Sequence, residues 1–383
     1  MKRNILLNVV AAAAVSCALT GCSKSDGTGE YEDGLAAYKA GDLKKAARYF
    51  SESLEAAPAS VNALLMLARV KCDIGEISEA GRIMQEANKL DEDALDVKML
   101  TAQISWHLKD YERSLRLFQS IANDGKLDAC VRSLGYSGAG IVEMTKGEHD
   151  LARIALLRAI RTDRRNASAW YHLGLLYRDG FGYNEAALEQ FNIYVRLGKV
   201  ADARVQKVQR TYIPELQETI ARSAADRPGA SKRDSAASAA AIAKAEAAFK
   251  KRYYKTARVN YEAALKADPL SYPAALALAT VYEKSDASKA GQTKALEYYR
   301  LACRLRPSAV STHLAAGALA MRLSYFAQAE AIYSRALAAD PSKLDAIDGL
   351  IRALKRTGVK EKLKIAAAYQ EYRDSIPVSR RRM

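Results

Sequence analysis

Two columns of small side chains, repeating along the chain, constrain this sequence more than any other feature. The first column is Gly34, Ala68, Ala102, Gly140, Gly174, Ala245, Ala279 and Gly317. The second is Ala46, Ala80, Ser114, Ala152, Ala186, Ala257, Ala295 and Ala329, and the offset within a pair is 12, except for Ala279 to Ala295, where it is 16. Two helices approach closely only where the side chains at their crossing are small, so each pair of positions reads as a helix-turn-helix unit. Larger residues follow four places on, at Phe50, Met84, Phe118, Leu156, Tyr261, Tyr299 and Tyr333, and are expected to fill an outer layer. Three residues beyond those, small side chains return on the same helical face, as at Ala87, Ala264 and Ala336.

The period is 34 from Ala46 to Ala80 and on to Ser114, again from Ala152 to Ala186, and from Ala295 to Ala329. A chain of 383 residues rarely forms one compact domain, but a stack of repeats reaches that length without splitting. Helix formers dominate, Pro is limited to 8 residues, and the β-branched alternation of strands is missing. The expected class is all-α.

The small columns, the aromatic after them and the closing Pro58, Pro269, Pro307 and Pro341 together resemble the tetratricopeptide repeat. Trp170-Tyr171-His172-Leu173-Gly174-Leu175-Leu176-Tyr177 is the closest match to that family's first helix. The resemblance covers most of residues 31–341 and implies an α-solenoid whose first helices line a concave groove that takes extended peptides or helices. Two arrays are expected, residues 31–222 and 237–377, joined by a flexible linker at 223–236, where Asp226-Arg227-Pro228-Gly229 and Ser231-Lys232-Arg233-Asp234-Ser235 show no apolar period. Val200 to Tyr212 reads as one helix, and Pro214 suits the start of another running towards Ala224. Leu344–Thr357 and Glu361–Ser375 read as a capping pair with a Lys/Arg-rich outer face, followed by a basic tail at 378–383. Ser114 replaces Ala, 38 residues separate it from Ala152, and two units carry extra residues. Asp179-Gly180-Phe181-Gly182 carries one extra residue, so Phe191 falls one place late, and an insertion around Lys284 to Thr293 reads as an exposed loop.

The N-terminus reads as an address. Lys2 and Arg3 precede an apolar run from Ile5 to Ala18, and Leu19-Thr20-Gly21-Cys22 follows directly. These four residues resemble the bacterial lipobox. That resemblance implies removal of residues 1–21, acylation of Cys22 (with palmitate among the typical chains), and attachment to a lipid bilayer. Residues 22–30 would be a tether. Ser23 after the Cys points to an outer-membrane lipoprotein facing the periplasm, with the inner membrane and the cell surface as alternatives.

No nucleotide-binding Gly loop, zinc spacing, nucleophile elbow or carboxylate pair marks a catalytic centre. The expectation is a non-enzymatic scaffold with no metal and no cofactor, whose partners are other proteins. Lipoproteins of this resemblance serve in assembly and secretion of cell-envelope components. Mapping the groove-facing turns gives Arg69, Gln103, His107, Tyr171, Arg178 and Asp179 in the first array. The second offers Glu246, Lys250, Thr280, Glu283, Arg322, Arg352 and Lys355. Trp106 and Trp170 are assigned to the core, and Tyr171 and Arg178 to partner contact. The basic set that clamps a peptide's terminal carboxylate in chaperone-binding members is not reproduced.

Charge supplies the alternative. Residues 22–197 carry 23 Lys and Arg against 26 Asp and Glu, while residues 198–383 carry 34 against 18. The second half is therefore a candidate for an acidic partner, including an anionic glycan or polymer of exopolysaccharide export or the cell wall. Nucleic acid ranks last, because Arg252-Tyr253-Tyr254-Lys255 is the single cluster that interleaves bases with aromatics.

Overall fold

The computed structural model describes residues 27–198, 202–231 and 233–376, so Cys22, the signal segment and the basic tail lie outside the described residues. Among the described residues all regular structure is helical. The helices group into two compact units, one through His172 and one from Leu173. The first holds α1 (Thr28–Lys39), α2 (Leu43–Ala56), α3 (Val61–Ile74), α4 (Ile77–Leu90), α5 (Leu95–His107), α6 (Tyr111–Asn123), α7 (Ala129–Lys146) and α8 (His149–Thr162), with α9 (Ala167–Leu175) crossing the division. The second continues with α10 (Asn184–Leu197), α11 (Ala203–Lys207), α12 (Ile213–Ala225), α13 (Ser235–Lys250), α14 (Tyr254–Ala267), α15 (Tyr272–Ser285), α16 (Lys289–Leu305), α17 (Val310–Arg322), α18 (Phe326–Ala339), α19 (Leu344–Arg356) and α20 (Lys360–Asp374). Helices pack against their chain neighbours in antiparallel pairs, as the repeat pattern requires. Within each unit the first helices of successive pairs also touch, α3 with α5, α5 with α7, α13 with α15 and α17 with α19. Helix starts are set by side-chain caps. Asp42, Ser60, Asp110, Asp234, Ser271 and Ser288 each accept from a backbone N–H three residues on.

The small residues of both columns are buried, but the first column does a different job from the one expected. A Cβ built on Gly34 would lie 2.6 Å from the Phe50 ring, one on Gly174 2.7 Å from Phe191, and one on Gly317 2.6 Å from Tyr333. Glycine in the first helix is therefore a seat for the large residue of the second helix, 16 or 17 places on. Gly138 and Gly349 close on Phe118 and Tyr333 from the first helix of the next pair. Phe50, Phe118 and Tyr333 are accordingly buried between helices and do not form an outer layer.

A third column stands out in the backbone. Gly41, Gly75, Gly147, Gly182 and Gly358 stand at the turn between the two helices of a pair with φ between 66° and 99°. Lys109, Arg252 and Ser324 occupy the same turn in other pairs with φ of 65°, 60° and 61°. Side chains with a Cβ are strained there, whereas glycine is not. Replacing Lys109, Arg252 or Ser324 by Gly is expected to stabilise the chain by about 0.5–1 kcal/mol at each site, after the added freedom of the unfolded chain is subtracted. Urea midpoints measure it, and destabilisation at all three sites would refute the assignment.

Both irregular units resolve locally. The extra residue near Asp179 is absorbed by a π-helical turn, Leu176–Phe181, which widens α9 by one residue before Gly182 ends it. The expected exposed loop at 284–293 is mostly helix, because α15 runs to Ser285 and α16 begins at Lys289. Four inserted residues make about one helical turn, so the insertion lengthens α16 instead of looping out. Gln292 fastens it, its Nε2 donating to the carbonyls of Glu283 at 3.1 Å and Asp286 at 2.7 Å. The two helices read around Pro214 are one continuous helical run. A π-helical turn, Val208–Tyr212, joins α11 to α12 just ahead of the proline that interrupts the hydrogen-bond ladder.

The tether is shorter than expected, since Thr28–Glu30 already belongs to α1 and Ser53 Oγ donates to the Gly27 carbonyl at 2.7 Å. The described residues of the linker at 223–236 are also held in place. Its ends are helical, Asp234 N–H donates to the Ala267 carbonyl at 2.9 Å, and Arg233 pairs with both Asp268 oxygens at 2.8 and 3.0 Å. Gly229 sits against Pro269, and Arg227 Nη2 donates to the Arg304 carbonyl at 2.8 Å. No described helix is long and apolar enough to cross a membrane.

Candidate binding surfaces

The row of first helices presents the residues that the repeat pattern assigned to a groove, and these divide into surface and interior. In the first unit Arg69 on α3 is half-buried beside Tyr38 and Asp73. Tyr38 Oη donates to Asp73 Oδ2 at 2.8 Å, and burial together with that carboxylate pushes the phenol up to about 12. His107 on α5 is half-buried and meets Trp106 edge-on at 4.7 Å. Gln103 and Tyr171, expected at the surface, are only 2 % and 7 % exposed. They lie between helices and are not available for partner contact. Trp106 and Trp170, expected in the core, are half-buried, and Trp106 packs against the core around Phe118. Each indole N–H needs a partner, and finds one outside its own helix: Thr145 Oγ1 on α7 at 3.0 Å for Trp106, and the Arg164 carbonyl ahead of α9 at 2.9 Å for Trp170.

In the second unit Arg178 stands on the first π-helical turn. Its guanidinium donates to Asp179 at 2.6 and 2.9 Å and lies 4.1 Å from the centre of the Tyr212 ring, which belongs to the second π-helical turn. Arg178 therefore joins two irregular turns, and the hydrogen bond to Asp179 holds its pKa above the ordinary value. Glu283 and Arg322 form an ion pair between α15 and α17, and Tyr299 Oη also donates to Glu283 at 2.7 Å. Glu246, Lys250, Arg352 and Lys355 are exposed and make no ion pair among the described residues.

A second feature lies off that row. Tyr183, at the start of α10, donates from Oη to Ser334 Oγ at 3.1 Å on α18, and the Arg335 guanidinium lies 5.6 Å from the centre of the same ring. These contacts, with the pinned Arg227, Gly229 and Arg233, frame a cleft of about 740 Å³. Its apolar lining comes from Pro228, Pro269, Leu270, Leu301, Pro307 and Ala338. His313, 1 % exposed, and the buried Cys303 also line it. Burial pushes the Cys303 thiol up to about 12, so it remains a thiol at neutral pH. His313 donates Nδ1–H to the Ala309 carbonyl at 3.0 Å, which leaves Nε2 as the acceptor. Sequence reasoning had no signal for this cleft, because its walls come from segments more than a hundred residues apart.

His313 also gives the unit a pH dependence. Burial first, and the Arg335 charge after it, hold its pKa below the ordinary 6.5, so the folded state resists a proton that the unfolded chain accepts. Stability is then unaffected well above pH 6.5 and declines as pH falls through that value. Between pH 7 and pH 5 the urea midpoint of His313→Asn, which keeps an N–H donor for Ala309, should fall less than that of the parent chain. Equal slopes would exclude this contribution.

Two tetratricopeptide-repeat models match the chain, one over residues 37–104 and one over 138–202. The helix pairs within those two stretches match tetratricopeptide repeats, and the chain is an α-solenoid. Among solved structures, PilW, a type IV pilus biogenesis factor, aligns at 15% identity over 54% of this chain and 96% of its own, with a TM-score of 0.43. PilF of Pseudomonas aeruginosa aligns at 17% identity over 53% of this chain and 93% of its own, with a TM-score of 0.41. YrrB, a repeat protein with an unusual peptide-binding site, aligns at 16% identity over 49% and 93%, with a TM-score of 0.35. No curated protein matches the chain in sequence.

Proposed function

We propose that this chain is a lipid-anchored, non-enzymatic scaffold of the bacterial cell envelope that holds segments of other proteins along its first helices, in assembly or secretion of envelope components. The observation that carries the binding role is the exposed polar row on α13, α17 and α19, where Lys250, Arg322, Arg352 and Lys355 stand on first helices that touch one another in two of their three successive steps through α15. Side chains arranged this way meet an extended peptide or a helix laid across several pairs. Anchoring is supported by Leu19-Thr20-Gly21-Cys22 behind the apolar run, which makes Cys22 the lipid attachment residue and the outer membrane, periplasmic side, the expected location.

Two experiments test the two halves. Cys22→Ser should move the protein from the membrane fraction to the soluble fraction, and a variant that stays tightly membrane-bound would refute the anchor. A photo-crosslinking residue in place of Lys355 should capture partner protein, while the same residue in place of the exposed Val259 on α14 should not. Equal capture at both positions would refute the first-helix surface. The exposed Lys250, Arg352 and Lys355, without carboxylate partners among the described residues, favour an acidic segment or an anionic glycan as the second array's occupant. Affinity that is insensitive to salt would count against that reading.

A further inference from the structure

We propose that the cleft between α10 and the ends of α16 and α18 is a second docking site, for a short protein segment whose apolar residues are flanked by a cation on one side and a carboxylate on the other. Three observations carry it. The cleft holds about 740 Å³, a volume suited to a few side chains and too small for a folded surface. Its prolines and leucines supply an apolar lining set by packed helix ends and by the anchored Arg227 and Arg233, so the site is formed before anything enters it.

The third observation is its charge. Glu185 and Glu189 line it from α10, and Arg304 and Arg335 line it from α16 and α18, all four exposed. No ion pair joins them among the described residues, since the recorded pairs of the second unit use other groups. Opposite charges that line one recess without neutralising each other present a field that a mixed-charge segment complements. Arg227 does not compete for an incoming carboxylate with the Nη2 that already donates to the Arg304 carbonyl. The cleft is built largely from second helices and the loops after them, so it is separate from the first-helix row, and failure of either site leaves the other standing.

The test uses the full chain and fluorescein-labelled heptapeptides carrying Leu-Pro-Leu at the centre. One set has Lys and Glu at the two ends in either order, and the control has Gln at both. Fluorescence anisotropy should show one mixed-charge order binding at least about fivefold more tightly than the Gln control. That preference should be lost in Glu185→Lys/Glu189→Lys and in Arg304→Glu/Arg335→Glu, while Leu301→Trp, which fills the cleft, should abolish binding of all peptides. Far-ultraviolet circular dichroism establishes that each variant keeps its helices. If both mixed-charge orders bind no better than the control, or the preference survives both charge reversals, the proposal fails. Binding that is lost on Lys355→Glu but not on Leu301→Trp would place the segment on the first-helix row and would also overturn it.

Discussion

Tyr333→Ala is expected to destabilise the second unit by about 3–5 kcal/mol, the range for removing a large buried aromatic side chain. The Tyr333 ring is the contact shared by three helices. It extends from α18 into seats left by Gly317 on α17 and Gly349 on α19, and it is buried. Neither glycine can move a side chain into the space, because it has none, so the cavity stays. Tyr333→Phe should lose much less, since the ring still fills both seats and only the hydroxyl near Arg352 goes. Repeats contact mainly their neighbours, so amide exchange should accelerate in α17 to α19 and remain unchanged in the unit ending at His172. A loss below about 1 kcal/mol in urea titrations would show that the shared seat is not what holds these helices.

Gly135→Ala should be almost as damaging, by about 2–3 kcal/mol, although it adds a single methyl group and favours helix. A Cβ at this position would lie 2.7 Å from the Ala122 amide nitrogen and 2.8 Å from the Phe118 carbonyl oxygen. Both are backbone atoms of α6, so relief requires the two helices to separate, not a side chain to turn. Gly29 on α1 provides the contrast, with nothing within 4 Å of its would-be Cβ. Gly29→Ala should be neutral or stabilising by up to about 1 kcal/mol. If Gly135→Ala melted at the same urea concentration as the parent, close backbone approach of α6 and α7 would be disproved.

Much of the fold was legible because burial on a helix leaves a periodic trace. The columns at Ala46, Ala80 and Ala329 fall at fully buried positions, and the capping pair after Pro341 is present as α19 and α20. The functional residues were read less well. A position within a repeat sets a helical face to within about one residue, and one residue is 100° of rotation. That margin put Tyr171 inside, the reverse of the expectation, beside a half-buried Trp170. Glu283 and Arg322 were identified singly, whereas only packing of α15 beside α17 shows that they satisfy each other.

The sequence by itself determined the helical class, the pairing, the period and the places where the period breaks, since each of these follows from spacing along one chain. Tertiary structure decided what the spacing left open. It turned one inserted residue into a π-helical turn and four into an extra turn of α16, because a helix absorbs whichever count its hydrogen-bond ladder can close. It gave the small residues their purpose as seats for Phe50 and Tyr333, a contact made between helices and not within one. It also fastened the apparent linker through Arg227 and Arg233 and so framed the cleft beside α10. Those contacts join segments distant in sequence, and no local pattern records them.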